Sequence, residues 1–164
     1  MTEFYPHCKR CQSMNTKNTS TEGVAIMYYV KETYPPETLK RMEVMDRRYR
    51  QAAREYFSRR CEYYRQFTGA DYTRITIRDQ KTRWGSCSST GTLSFNYRLM
   101  FAPPRVLDYV VVHELCHLTH MNHSREFWEL VGSVMPEYKI HRKWLKEHGH
   151  ELNIEEHMKR LNLF

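Results

Sequence analysis

Residues 104–120 read PRVLDYVVVHELCHLTH, and as a helix this stretch has no polar side. Val106, Leu107, Val110, Val111, Val112, Leu115 and Leu118 cover its circumference, and a helix apolar all round belongs at the centre of a domain. Pro103-Pro104 is suited to open it and Asn122 to end it. A buried helix makes demands on any polar residue within it, because an unpaired imidazole or carboxylate is costly to desolvate. His113 and Glu114, directly after VLDYVVV, therefore need a chemical reason.

The rest of the chain arranges itself around that helix. Residues 12–22 (QSMNTKNTSTE) are polar and read as a lead-in, and GVAIMYYV at 23–30 reads as one short strand. Residues 1–34 thus form an N-terminal lead-in, and 35–164 a single domain. From Pro36 to Phe67, apolar residues (among them Leu39, Met42, Met45, Tyr49, Ala53 and Tyr56) recur at three- and four-residue steps, the pattern of a long amphipathic helix that stops near Gly69. DYTRITIRDQ alternates as a strand does, and the turn-rich WGSCSSTGT leads to a second strand, LSFNYRL. Ser124 can cap a further helix running to about Met135, and Pro136 begins a basic last section.

Charge and cysteine usage narrow the class. The 164 residues carry a net charge of +7, with 40% hydrophobic and 13% aromatic content, enough for a real core. Residues 37–68 hold nine Lys/Arg against five Asp/Glu, whereas 79–135 hold five of each. The basic excess sits away from the histidines and reads as a solvated helix face, so nucleic-acid binding is expected to be weak and non-specific at most. No apolar run is long enough to span a membrane, and the start MTEFYPHCKRCQ has no apolar core of a signal peptide. Five cysteines make a poor disulfide framework, and reduced thiols point to the cytoplasm.

Four of the nine histidines fall within residues 113–123. His113 and His117 are one helical turn apart, so their rings project from one face and can share a tetrahedral zinc. Glu114 is rotated by about 100° from His113, which sets its carboxylate beside the metal rather than on it. There it can take a proton from the water that such a metal makes acidic. Two residues compete to be the third ligand. His120 lies on the face of His113 but about 10 Å along the axis, whereas nitrogens on one zinc stand only about 3–3.5 Å apart. His123 falls just past the helix end, where the chain can turn back, and is the better candidate; His120 then supports the site from outside or sits at the surface.

HELCHLTHMNHSREFW, preceded by QKTRWGSCSSTGTLSFNYRLMFAPPRVLDYVVV and followed by MPEYKIHRKWLKEHG, resembles the YgjP-like metallopeptidase family, relatives of the SprT-like zinc proteases. The resemblance runs from about Pro36 to Gly149. It implies an α+β, zincin-like fold, with a small antiparallel or mixed sheet packed on a central HEXXH helix and flanking helices. It also implies an intracellular Zn2+-dependent hydrolase in which His113, His117 and His123 bind zinc and Glu114 is the acid/base group. One departure is expected: family members have a longer β-rich N-terminal region, whereas only GVAIMYYV stands here, so a substrate surface built there would be reduced.

The remaining features carry less. In KTRWGSCSS, Arg83, Ser86 or Cys87 could line a cleft, while the simpler reading has Trp84 filling the core and Gly85 making a tight turn. Cys87 is not needed as a nucleophile where an activated water serves. LSFNYRL is the candidate edge strand for holding an extended substrate. Tyr109, Tyr138 and His141 could stabilise an oxyanion or simply pack. Phe127 and Trp128 are expected to hold the third helix against the HEXXH helix and keep His123 in place. His7, Cys8 and Cys11 have metal-like spacing but no second pair downstream. The expected function is a zinc metallohydrolase acting on peptide or protein substrates. Two rivals stand beside it: a zinc-dependent hydrolase of nucleoside triphosphates or other phosphoanhydrides, and a non-enzymatic nucleic-acid-binding module with structural zinc. The second has no use for Glu114.

Overall fold

The computed structural model describes residues 34–163. They form an α+β fold of five α-helices and a mixed three-stranded sheet. The strand expected at 23–30 and the His7, Cys8 and Cys11 group lie outside the described residues.

Helix α1, Pro36–Thr68, opens on a proline whose missing N–H costs nothing in a first turn. It ends at Gly69, whose left-handed backbone (φ 63°) lets its N–H donate to the Arg65 carbonyl at 3.0 Å. Ala53, Phe57, Cys61, Tyr64 and Thr68 are buried at three- and four-residue steps, one stripe against the core. Phe57 stacks on Phe95 of the sheet, with ring centroids 4.5 Å apart. Arg41, Arg47, Arg48, Arg54 and Arg59 are exposed, the solvated face the charge pattern predicts. Arg60 instead turns inward.

The sheet comprises β1 (Arg74–Arg78), β2 (Gly85–Cys87) and β3 (Thr92–Asn96), in the order β1-β3-β2. β3 runs parallel to β1 and antiparallel to β2. The β2–β3 turn closes through Gly91, at φ 77°, whose N–H donates to the Ser88 carbonyl. The expectation that LSFNYRL supplies an edge strand is thus corrected: its strand portion, β3, is the central strand. The reason is the crossover. After β1 the chain passes over the sheet and returns through β2 on the far side, leaving the middle position to β3. Asn96, 2% exposed, ties that crossover down, donating from Nδ2 to the Gln80 and Arg83 carbonyls at 2.6 and 3.1 Å.

Helix α2, Pro104–Cys116, is the centre of the domain. Every residue from Val106 to Cys116 is buried, and the helix packs against α1, β2, α3 and α4. α3 is Arg125–Val134, α4 is Tyr138–His148, and α5 is Ile154–Arg160. One charged residue of α2 is matched from α1. Asp108 accepts from Arg60 Nε (2.6 Å) and Nη2 (2.8 Å) and from the Tyr56 and Tyr64 hydroxyls (3.1 and 3.3 Å). The last turn differs from expectation. Instead of continuing to Asn122, the α-helix stops at Cys116, and the N–H groups of Leu118 and Thr119 tighten onto the Leu115 and Cys116 carbonyls. A tightened terminal turn satisfies orphan carbonyls and lets the chain reverse sooner. The basic last section also holds two helices that its sparse apolar pattern does not announce. None of the described helices is long and apolar enough to cross a membrane.

Candidate metal centre

The end of α2, the reversal that follows it and the start of α3 bring three imidazoles together. His117 Nε2 and His123 Nε2 each lie 3.1 Å from His113 Nε2. Among the described residues, His113, His117 and His123 form the one group of His, Cys, Asp and Glu side chains able to share an ion. The His120 ring is not part of it. His120 contributes its backbone carbonyl instead, which accepts a hydrogen bond from His117 Nδ1 at 3.0 Å. A carbonyl can only accept, so the His117 proton resides on Nδ1 and the Nε2 lone pair faces the cluster.

Aromatic packing holds this arrangement. Ser124 caps α3 through the Phe127 N–H, so His123 sits immediately before the helix and the Phe127 and Trp128 side chains return beneath it. Phe127 contacts all three imidazoles, with centroids 4.5–5.0 Å away. Trp128 stacks on His123 (5.5 Å, 22°) and Tyr138 stacks on Trp128 (5.3 Å, 16°). The Arg142 guanidinium lies 4.7 Å from the Trp128 ring centroid. The three histidines are graded in burial, His113 being buried, His117 half-buried and His123 exposed, so the group opens to solvent on the His123 side.

Burial pushes the His113 imidazole well below its ordinary value, and the neighbouring His117, His123 and Arg142 disfavour its protonated form further. Burial also lowers His117. Both shifts favour the neutral rings, whose lone pairs a metal needs. Glu114 is only 5% exposed. Burial pushes its carboxyl up to about 8, opposed in part by the charge on Arg83.

The edge strand β2 packs against Glu114. Gly85, in β2, passes so close to Glu114 that a Cβ on it would stand 2.5–2.8 Å from the Oε1, Cγ and Cδ atoms. The sequence reading gives Gly85 a turn; it lies instead in a strand, and the close approach to Glu114 is what requires a glycine. An isolated glycine inside a strand pattern is the sequence signal for such an approach. Trp84, expected to fill the core, is half-buried and packs against it, filling the space beside Gly149, where a Cβ would meet its ring at 2.8 Å. Burial and the proximity of Glu114 raise the Cys87 thiol to about 11, which leaves it un-ionised and a poor nucleophile. Tyr109 is fully buried with its ring 5.9 Å from that of His113. Its hydroxyl, like His141 Nε2, makes no hydrogen bond among the described residues.

Comparison with known proteins adds an independent line. A family profile described as YgjP-like, metallopeptidase domain, matches residues 7–148. The match begins upstream of Pro36 and so takes in the N-terminal segment that the sequence resemblance leaves out. Among solved structures, the chain is similar to the metallopeptidase zymogen of Pyrococcus abyssi abylysin, with 25% identity, 52% of this chain and 87% of that one covered, and a TM-score of 0.48. No match is found among curated proteins.

Proposed function

This chain belongs to the YgjP-like metallopeptidase family, and we propose that it is a zincin-like, zinc-dependent peptidase in which His113, His117 and His123 hold the ion and Glu114 is the acid/base group. The observation behind this reading is the convergence of three imidazole Nε2 atoms, two of the spacings being 3.1 Å. Nitrogens on a tetrahedral zinc, with bonds near 2.0–2.1 Å, stand roughly 3.3 Å apart, so the donor set fits. Among the described residues the group offers three protein ligands rather than four, the pattern of a catalytic rather than a structural site.

Bound there, zinc supplies Lewis acidity and makes a water acidic near neutral pH. The chain's own residues do the rest. Glu114, next to His113 in the helix and free of the ligand set, accepts the water's proton and delivers it to the departing amine nitrogen. Its raised carboxyl falls back towards the carboxylate range beside a cation, leaving it ionised as a base and able to hold a proton transiently. The His120 carbonyl keeps His117 in the tautomer that binds, and the Phe127 and Trp128 rings keep His123 turned inward.

Substrate orientation falls to β2. The Trp84 carbonyl and Ser88 N–H are bonded to β3 and its approach, and bonding alternates along an antiparallel strand. The Gly85 and Cys87 backbone groups therefore face the outer edge, which has no further strand among the described residues. An extended peptide can add to that edge by backbone hydrogen bonds, directly beside Glu114. This favours a peptide over a nucleotide, and nothing in the family match supports a nucleotide or nucleic-acid partner. Cysteine usage supports the cytoplasm as the site of action. Zinc-loaded protein should cleave members of a mixed peptide pool read by mass spectrometry, and a chelator should stop it. Hydrolysis of nucleoside triphosphates with no peptide cleaved would replace this reading with the phosphoanhydride one.

A further inference from the structure

The contact between Gly85 and Glu114 joins two parts that the proposed chemistry treats separately, the strand that orients substrate and the group that moves the proton. Glu114 lies on the buried α2, and its carboxylate reaches the backbone of β2 at the one position without a side chain. A Cβ at that position would meet not one atom but three parts of the glutamate, Oε1 at 2.5 Å, Cγ at 2.7 Å and Cδ at 2.8 Å. All three are closer than real Cβ contacts come, and Glu114, being buried, has no solvent to swing into. The strand itself is anchored at both ends of this contact. Trp84, the preceding residue, packs against Gly149 and offers its carbonyl to the Asn96 N–H, and Ser88 is bonded to Thr92. With the strand anchored, the contact is relieved only by displacing the Glu114 side chain within a packed interior.

We propose that Gly85 is a positioning residue for the reaction: its bare Cα is the surface on which the Glu114 carboxylate rests, and it fixes where the base stands relative to a substrate paired with β2. The proposal rests on the peptidase reading for its catalytic part, while the steric part stands on its own. The groups around Glu114 on this side fit a seat rather than a second catalytic group. Cys87 and Cys61 bear on it as un-ionised thiols, raised by burial to about 11 and about 12, and among the described residues Arg83 contributes a positive charge that acts on it.

The test is a double-mutant cycle in the full chain: wild type, Gly85→Ala, Glu114→Ala and the pair. Thermal unfolding reads the contact without reference to activity. Gly85→Ala should lower Tm in the presence of Glu114 and cost little in the Glu114→Ala background, where the three clashing atoms are gone. An equal Tm loss in both backgrounds overturns the proposal, as does a failure of both Gly85 variants to fold. A fold lost in Gly85→Ala and regained in the pair supports it.

Turnover by the zinc-loaded protein reads the consequence. Gly85→Ala should keep one zinc per chain and lose about 10²-fold or more in kcat, with KM changed far less. Full kcat in Gly85→Ala overturns the positioning role. If the wild type cleaves no peptide, the peptidase reading fails, and the unfolding cycle still decides whether Gly85 seats Glu114.

Discussion

Replacing Arg60 with methionine should loosen the central helix from α1. Asp108 is 5% exposed in the middle of α2, and its carboxylate is met by a two-pronged hydrogen bond from Arg60 at 2.6 and 2.8 Å. Methionine keeps most of the aliphatic stem and removes only the guanidinium, so the loss is electrostatic rather than a cavity. Stranding one partner of a buried pair typically costs about 3–5 kcal/mol. Two features reduce that here. The Arg60 side chain is 29% exposed, so solvent already screens part of the attraction. Tyr56 and Tyr64 also continue to donate to Asp108. The expected cost is therefore about 2–3 kcal/mol, a Tm drop of roughly 6–12 °C for a domain of this size.

The double variant Arg60→Met with Asp108→Leu should recover most of that loss, since removing both charges leaves none buried and unpaired. Urea and thermal unfolding of the four proteins measure it. An Arg60→Met protein within about 2 °C of wild type, or a double variant as unstable as the sum of the singles, would mean that the ion pair does not hold α2 in place.

Three further outcomes follow from the site. His120→Ala should retain zinc, because that residue serves through its backbone carbonyl, while His123→Ala should lose it; metal analysis after dialysis separates them, and the opposite pattern would move the third ligand to His120. Trp128→Ala removes the ring stacked on His123 and should weaken zinc binding by about 10–100-fold, measured by competition with a chromophoric chelator. In the metal-free protein, the Glu114 carboxyl titrates near 8 rather than at its ordinary 4.5, so across that interval the folded state holds more protons than the unfolded one. Its contribution to stability is full below about 4.5 and is lost progressively up to about 8; urea midpoints of the metal-free wild type should fall across that interval and level off above it, and stay flatter in Glu114→Gln.

What the sequence makes legible divides along physical lines. α1 and α3 can be read because apolar periodicity, a proline start and a capping serine each act locally. That His123 rather than His120 joins the cluster agrees with the expectation from the sequence, but not for its reason: axial reach assumes a helix running through His120, whereas the helix stops at Cys116 and it is the reversal after it that brings His123 in. The order of the strands does not follow, because the alternation in LSFNYRL suits a central strand as well as an edge, and only the crossover between β1 and β2 decides. The early stop of α2 depends on a tightened turn and on the His120 carbonyl, neither of which is visible in residue types. α4 escapes notice because, of KIHRKWLKEH, only Leu145 is buried. Gly85 is ambiguous alone: a lone glycine serves a turn or a close approach, and what distinguishes them here is a side chain from a helix far along the chain.

Glu114→Gln, assayed for zinc and turnover in the same preparation, bears most closely on the proposed mechanism. The change keeps size and removes only the capacity to accept a proton. The variant should bind one zinc per chain, unfold like the wild type at neutral pH and lose about 10²–10⁴-fold in kcat. A zinc-loaded Glu114→Gln protein that cleaves the wild-type substrate at the wild-type rate would contradict the account.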